Sequence, residues 1–191
     1  MKNKKYLKAM FGQTSGADNS FEYKIGEVNV ANTWDPSSTD PKEMGGFNFS
    51  VEDKIIRWLV RGDTLYDVTI PDDAEIINVP HQATPDGVFR ANKIIISNPR
   101  PITDDLAMEL YLKSTIPEKS YYKTMAGCAI RGRIKTAKKI LEDKINKDNI
   151  DLAIQEFQDF CNWDDNKEFD ETKLNKEAKE IYDMLLEIKG E

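Results

Sequence analysis

Apolar positions change their period near residue 102. Up to that point they recur in short alternating runs, and beyond it they recur at spacings of three and four. The first part reads as strands and turns. Lys5–Phe11 forms a first strand that Gly12 and the Ser15-Gly16-Ala17-Asp18-Asn19 cluster would end, and Phe21, Tyr23 and Ile25 alternate as a second, stopped by Gly26. From Val28 to Met44 the pattern weakens, and Trp34-Asp35-Pro36-Ser37-Ser38 with Asp40-Pro41 marks a long loop of the kind that covers a site. Phe47 and Phe49 alternate across Asn48. Ser50 then offers an N-cap oxygen, Val51, Ile55, Trp58 and Leu59 make one helical face, and Gly62 suits a left-handed C-cap. Leu65–Ile70 is a strand, Pro71-Asp72-Asp73 a turn, Ala74–Val79 a short strand and Val88–Ile96 a longer one.

Thr103-Asp104-Asp105 opens a helix carrying Leu106, Leu110 and Tyr111, and helical periodicity continues to the end of the sequence. Pro117 suits a first helical turn, Gly132 divides a long helical stretch, and Asp148 can cap the helix bearing Ile154, Phe157 and Cys161. The expected class is α+β. Residues 1–102 would form a small mixed sheet with a short helix making a cleft, and residues 103–191 an acidic all-helical region.

Charge sharpens this division. Residues 1–102 carry 12 Lys/Arg against 14 Asp/Glu and residues 103–191 carry 15 against 20, so most of the net charge of −7 lies in the helical part. An acidic chain argues against a general nucleic-acid binder, leaving only a local basic patch around Arg131 and Arg133 for such contact. Hydrophobic residues make up 39%, enough for a folded core. Cys128 and Cys161 read as small buried hydrophobes, and one histidine with two distant cysteines gives no expectation of a metal site. The basic Met1–Tyr6 leads into no apolar run of signal-peptide length and no run reaches membrane-spanning length, so the expectation is a cytoplasmic protein without membrane contact.

Among side chains able to do chemistry, His81 lies in a loop near Asp86, and Arg90, Lys93 and Arg100 surround the Val88–Ile96 strand, where alternation puts Arg90 and Asn92 on one face. Gly45-Gly46 lacks the Lys-Ser/Thr of a Walker loop and reads as a sharp bend or a close backbone approach. Trp34 and Trp163 are candidate anchors for a partner protein, and Arg131 and Arg133, in the basic stretch around Gly132, are separate candidates for contact with an acidic one.

The order from Gly45 to Asn98, with Phe47-Asn48-Phe49, the Trp58 helix, Leu65-Tyr66-Asp67-Val68, Pro71-Asp72-Asp73 and Phe89-Arg90-Ala91-Asn92-Lys93-Ile94-Ile95-Ile96, resembles the minimal ADP-ribosyltransferase fold. The likeness is to its small rifampin-modifying and transfer-RNA phosphotransferase branches. It implies NAD in the cleft, with Phe47, Asn48, Phe49, Arg90 and Asn92 around the cofactor and Asp72 or Asp73 as the electrostatic group. On the first strand, Lys8 and Gln13 stand where the family places a histidine, and Asn92-Lys93 stands where many members place a glutamate. The make-up also resembles proteins of Gram-positive bacteria and their phages.

Three functional expectations follow. The first is a binding protein on a transferase-like scaffold, without cofactor, that occupies a host or cellular macromolecule, as a phage or mobile-element protein would. The second is an active ADP-ribosyltransferase using NAD. The third is a helical interaction module residing in residues 103–191.

Overall fold

Seven segments of alternating or β-branched character extend as strands: β1 (Tyr6–Met10), β2 (Val28–Val30), β3 (Phe47–Val51), β4 (Thr64–Thr69), β5 (Ile76–Asn78), β6 (Val88–Ala91) and β7 (Lys93–Pro101). They are seen in a computed structural model, which describes residues 4–15, 20–162 and 168–190. The strands pair in the order β2-β7-β4-β1-β3-β6-β5, and every ladder is antiparallel, so the sheet is not mixed as expected. Helices α1 (Pro41–Met44), α2 (Asp104–Leu112), α3 (Glu118–Ile130), α4 (Ile134–Lys144), α5 (Ile150–Cys161) and α6 (Lys176–Lys189) complete an α+β fold, with 3-10 turns at Ile55–Arg61 and Glu171–Lys173.

The sheet cannot be flat. β6 and β7 stand four places apart in the order, roughly 19 Å in a flat sheet, yet only Asn92 separates them, a link of at most about 7.6 Å. The sheet therefore folds over on itself. Met10, Tyr23, Phe47, Phe49, Tyr66, Phe89, Ile94 and Ile96 pack together as one of its two cores. The fold-over opens a split between β1 and β3, which pair only through Tyr6 with Val51 and Leu7 with Ser50, although β1 runs on to Met10 and β3 begins at Phe47.

The second core joins sheet to helices. Leu7, Ile55, Leu59 and Leu65 belong to the same buried cluster as Met125, Ile140, Phe157, Ile181 and Leu185. The helical region thus packs against the sheet through this shared cluster. Its starts follow the sequence closely: the Thr103 hydroxyl accepts from the Leu106 N–H at 3.2 Å, and Gly132, at φ +72°, separates α3 from α4. Asn149 rather than Asp148 precedes α5. None of the helices among the described residues is long and apolar enough to cross a membrane.

Four local expectations need correction. The segment from Val51 to Gly62 is not an α-helix: Ser50 stays in β3, its hydroxyl donating to the Gly87 carbonyl at 2.6 Å, so it is not available as a cap. Gly62 has an extended backbone, with φ −170°. Its glycine is required because a Cβ would lie 2.3 Å from the Met10 backbone nitrogen. Finally, Val88–Ile96 breaks at Asn92, and Phe21–Ile25 makes only isolated bridges while its rings turn inward, Phe21 and Tyr23 lying 4.9 and 5.1 Å from the Phe47 ring. Trp163 and Gly16–Asn19 lie outside the described residues.

Candidate functional site

The split between β1 and β3 continues into a cavity of about 710 Å³, within the range of small-molecule sites. Four cationic side chains line it, each from a different element or its border: Lys8 on β1, Lys42 on α1, Arg61 at the end of the 3-10 turn and Arg90 on β6. Phe21, Tyr23, Phe47, Phe49 and Trp58 supply aromatic walls, and His81 stands at the Trp58 side. No Asp or Glu among the described residues lines the cavity, and none lies within ion-pair distance of these four cations.

Lys8 is the most constrained member. It alternates with Leu7 and Ala9, which face the helical core, so it leaves β1 on the opposite side, with Tyr6 and Met10. Its Nζ reaches across the split to Asn48 and donates to the backbone oxygen at 2.6 Å and to Oδ1 at 2.7 Å. Those bonds take the place of the ladder that β1 and β3 do not form here. The residue is only 3% exposed, and the Nζ stands 5.3 Å from the Tyr23 ring centre. Burial, with the charges of Arg90 and Arg61 adding to it, brings Lys8 down to about 7. A neutral amine still has two N–H groups for the two Asn48 oxygens, and one lone pair remains.

Arg90 is aimed by glycine geometry. It sits directly across the ladder from Asn48, and its Nη1 donates to the Gly45 carbonyl at 2.6 Å. Gly45 has φ +65°, and a Cβ on it would fall 2.3 Å from the Thr33 oxygen, while one on Gly46 would fall 2.6 Å from the Trp34 ring. The pair is therefore both a sharp bend and a close approach, as its sequence suggests. Arg61 lies over the Trp58 indole at 5.6 Å, with Arg57 nearby at 5.4 Å. The His81 ring stands edge-on to Trp58 at 4.9 Å and accepts the Ala83 N–H on Nδ1. Burial, then Arg57 and Arg61, hold it below the ordinary histidine value.

The structure thus brings Phe47, Asn48, Phe49 and Arg90 to one cavity, but places the other candidates elsewhere. Asn92 is the crossover residue, accepting the Glu75 N–H on its side chain at 2.9 Å and the Ala31 N–H on its backbone at 2.9 Å. The strand break at this point removes the alternation that put it beside Arg90. Asp72 and Asp73 are exposed on the turn after β4 and do not line the cavity, and Asp73 pairs with Lys93 at 2.5 Å. Trp34 braces its own loop, its Nε1 donating to Glu75 at 2.5 Å.

Arg133 is 4% exposed and donates to the carbonyls of Leu59, Gly62 and Ile102 at 3.0, 3.0 and 3.3 Å, so it joins α4 to the sheet and is closed to a partner. Arg131 is exposed, but its Nε holds the Val60 carbonyl at 2.8 Å. Burial pushes both cysteines up to about 12, which disfavours their thiolates at neutral pH.

Sequence reasoning missed Lys42, Trp58 and Arg61 as site residues, and reached Lys8 only through the family resemblance. The Lys8 signal was present. A lysine in the middle of Tyr6-Leu7-Lys8-Ala9-Met10, a strand apolar on both faces, has to be buried or bent out of the sheet. Comparison with protein-family models, curated proteins and solved structures finds no match.

Proposed function

We propose that this protein binds a small anionic ligand carrying a flat ring, with a nucleotide or another ring-bearing phosphate as the class, in the cavity between β1 and β3. The observation that carries this reading is the charge of the wall. A chain of net charge −7 gathers Lys8, Lys42, Arg61 and Arg90 around one cavity with no lining carboxylate among the described residues. Cations around a confined, low-dielectric space with no described carboxylate among them repel one another, and an anion relieves that repulsion while accepting their hydrogen bonds. The aromatic walls give a ring somewhere to stack, with Trp58 and Arg61 forming one such surface.

NAD has both phosphate and ring and belongs to this class. The geometry favours binding over ADP-ribosyl transfer, because Asp72 and Asp73 lie off the cavity and no described carboxylate stands where a ribose would need one.

Melting temperatures with saturating ADP, NAD, adenosine and inorganic phosphate test the reading. Ligands with both phosphate and ring should raise the melting temperature most, with adenosine well behind. Equal shifts from adenosine and ADP, or no shift from any of them, would overturn it.

A further inference from the structure

Binding alone does not account for Lys8. An anion site is served by charged, mobile side chains, whereas this amine is walled in, held at two N–H positions by the two Asn48 oxygens, and backed by other cations. We propose that Lys8 is an imine-forming amine, condensing with the carbonyl carbon of a small aldehyde or ketone whose phosphate or carboxylate is held by Arg90 and Arg61. The proposal rests on the anion-binding reading of the cavity and adds a covalent step to it.

The chemistry follows from the surroundings. A lysine attacks a carbonyl only through its lone pair, so it must be neutral, and a desolvated site next to other cations favours the neutral form. The charged groups facing Lys8 are Arg90 from β6 and Arg61 from the 3-10 turn, with the Tyr23 phenol beside it, and no carboxylate among the described residues pairs with it. Its value falls from the ordinary 10.5 to about 7, so a far larger share of Lys8 is neutral at neutral pH than of a surface lysine.

In the step itself the amine nitrogen forms a bond to the carbonyl carbon. The nitrogen passes a proton to the former carbonyl oxygen, giving a carbinolamine, and its second proton leaves as that oxygen departs as water. A C=N bond thus replaces C=O with no change in oxidation state. Protonation of the imine nitrogen then gives a cation, whose charge the anionic end of the ligand would partly offset.

Pyridoxal phosphate combines an aldehyde, a flat ring and a phosphate, and sodium borohydride reduces any imine to a stable amine. Wild-type protein should give one adduct per chain, mapped by peptide mass spectrometry to Lys8. The adduct should form at least about tenfold faster than at exposed lysines and be slowed by added ADP. Lys8→Arg, which keeps a donor for Asn48, should lose this adduct while remaining folded. Labelling spread over Lys24 and Lys135 with Lys8 untouched would overturn the proposal.

The two readings fail separately. If calorimetry shows ADP bound but Lys8 is never trapped, the imine is wrong and the anion site stands. If an uncharged aldehyde labels Lys8 equally fast and ADP has no effect, the imine stands and the anion site is wrong.

Discussion

Replacing Lys8 with methionine should change how stability depends on pH. In the native fold burial and the cations of Arg90 and Arg61 set Lys8 near 7, whereas in the unfolded chain it titrates at the ordinary value of 10.5. Between those values the unfolded state binds one more proton than the native state, so this residue makes stability rise with pH. Below about 7 both states are protonated and its contribution is flat. A fully developed difference of one proton is worth about 1.4 kcal/mol per pH unit, so wild type should gain roughly 2–3 kcal/mol on Lys8→Met between pH 7 and pH 9.

Loss of the two donors to Asn48 adds an offset of about 1–3 kcal/mol that does not vary over this range. Urea denaturation followed by tryptophan fluorescence at pH 6, 7, 8 and 9 measures both terms. Wild-type stability minus that of the variant should change little from pH 6 to 7 and then rise. A difference that stays constant to pH 9 would refute the inference that Lys8 is neutral in the native cavity.

Other substitutions probe the frame around the site. Arg133→Met leaves three buried carbonyl oxygens without their donor and should cost about 3–5 kcal/mol in urea denaturation, with Arg133→Lys recovering part of it. Gly45→Ala combines a positive φ with a contact at 2.3 Å and should cost at least about 2 kcal/mol by thermal melting. The double change Asp72→Ala and Asp73→Ala should leave the melting temperature nearly unchanged and ligand affinity within about twofold by titration, because both groups are exposed and off the cavity.

The helical half is easy to read from sequence because each of its long helices repeats its apolar stripe over several turns, and Thr103 and Gly132 punctuate it chemically. The sheet half is harder. Its strands run three to nine residues, and their partners are set by the fold-over, of which the sequence holds only the one-residue link at Asn92. Ser50 and Gly62 carry the local chemistry of caps, but contacts distant in sequence override it: Gly87 takes the serine hydroxyl, and the Met10 backbone occupies the space beside the glycine.

The same limit applies to the cavity. Phe47, Asn48, Phe49 and Arg90 are named through the family resemblance, which falls on two segments that do form strands. Lys8, Lys42 and Arg61 come from three further segments, which only the tertiary fold brings to the same cavity. Trp34 and Arg133 had the composition of partner contacts. The Glu75 carboxylate and three backbone carbonyls occupy their polar groups instead.

The claim that the cavity is an anion site is tested most directly by calorimetric titration of ADP into wild type and into Arg61→Met/Arg90→Met. Wild type should bind with a micromolar to millimolar dissociation constant. The double variant should bind at least about tenfold more weakly, as expected when charge-assisted hydrogen bonds to a phosphate are lost. Equal affinity in the two proteins, or no heat in either, would contradict the account.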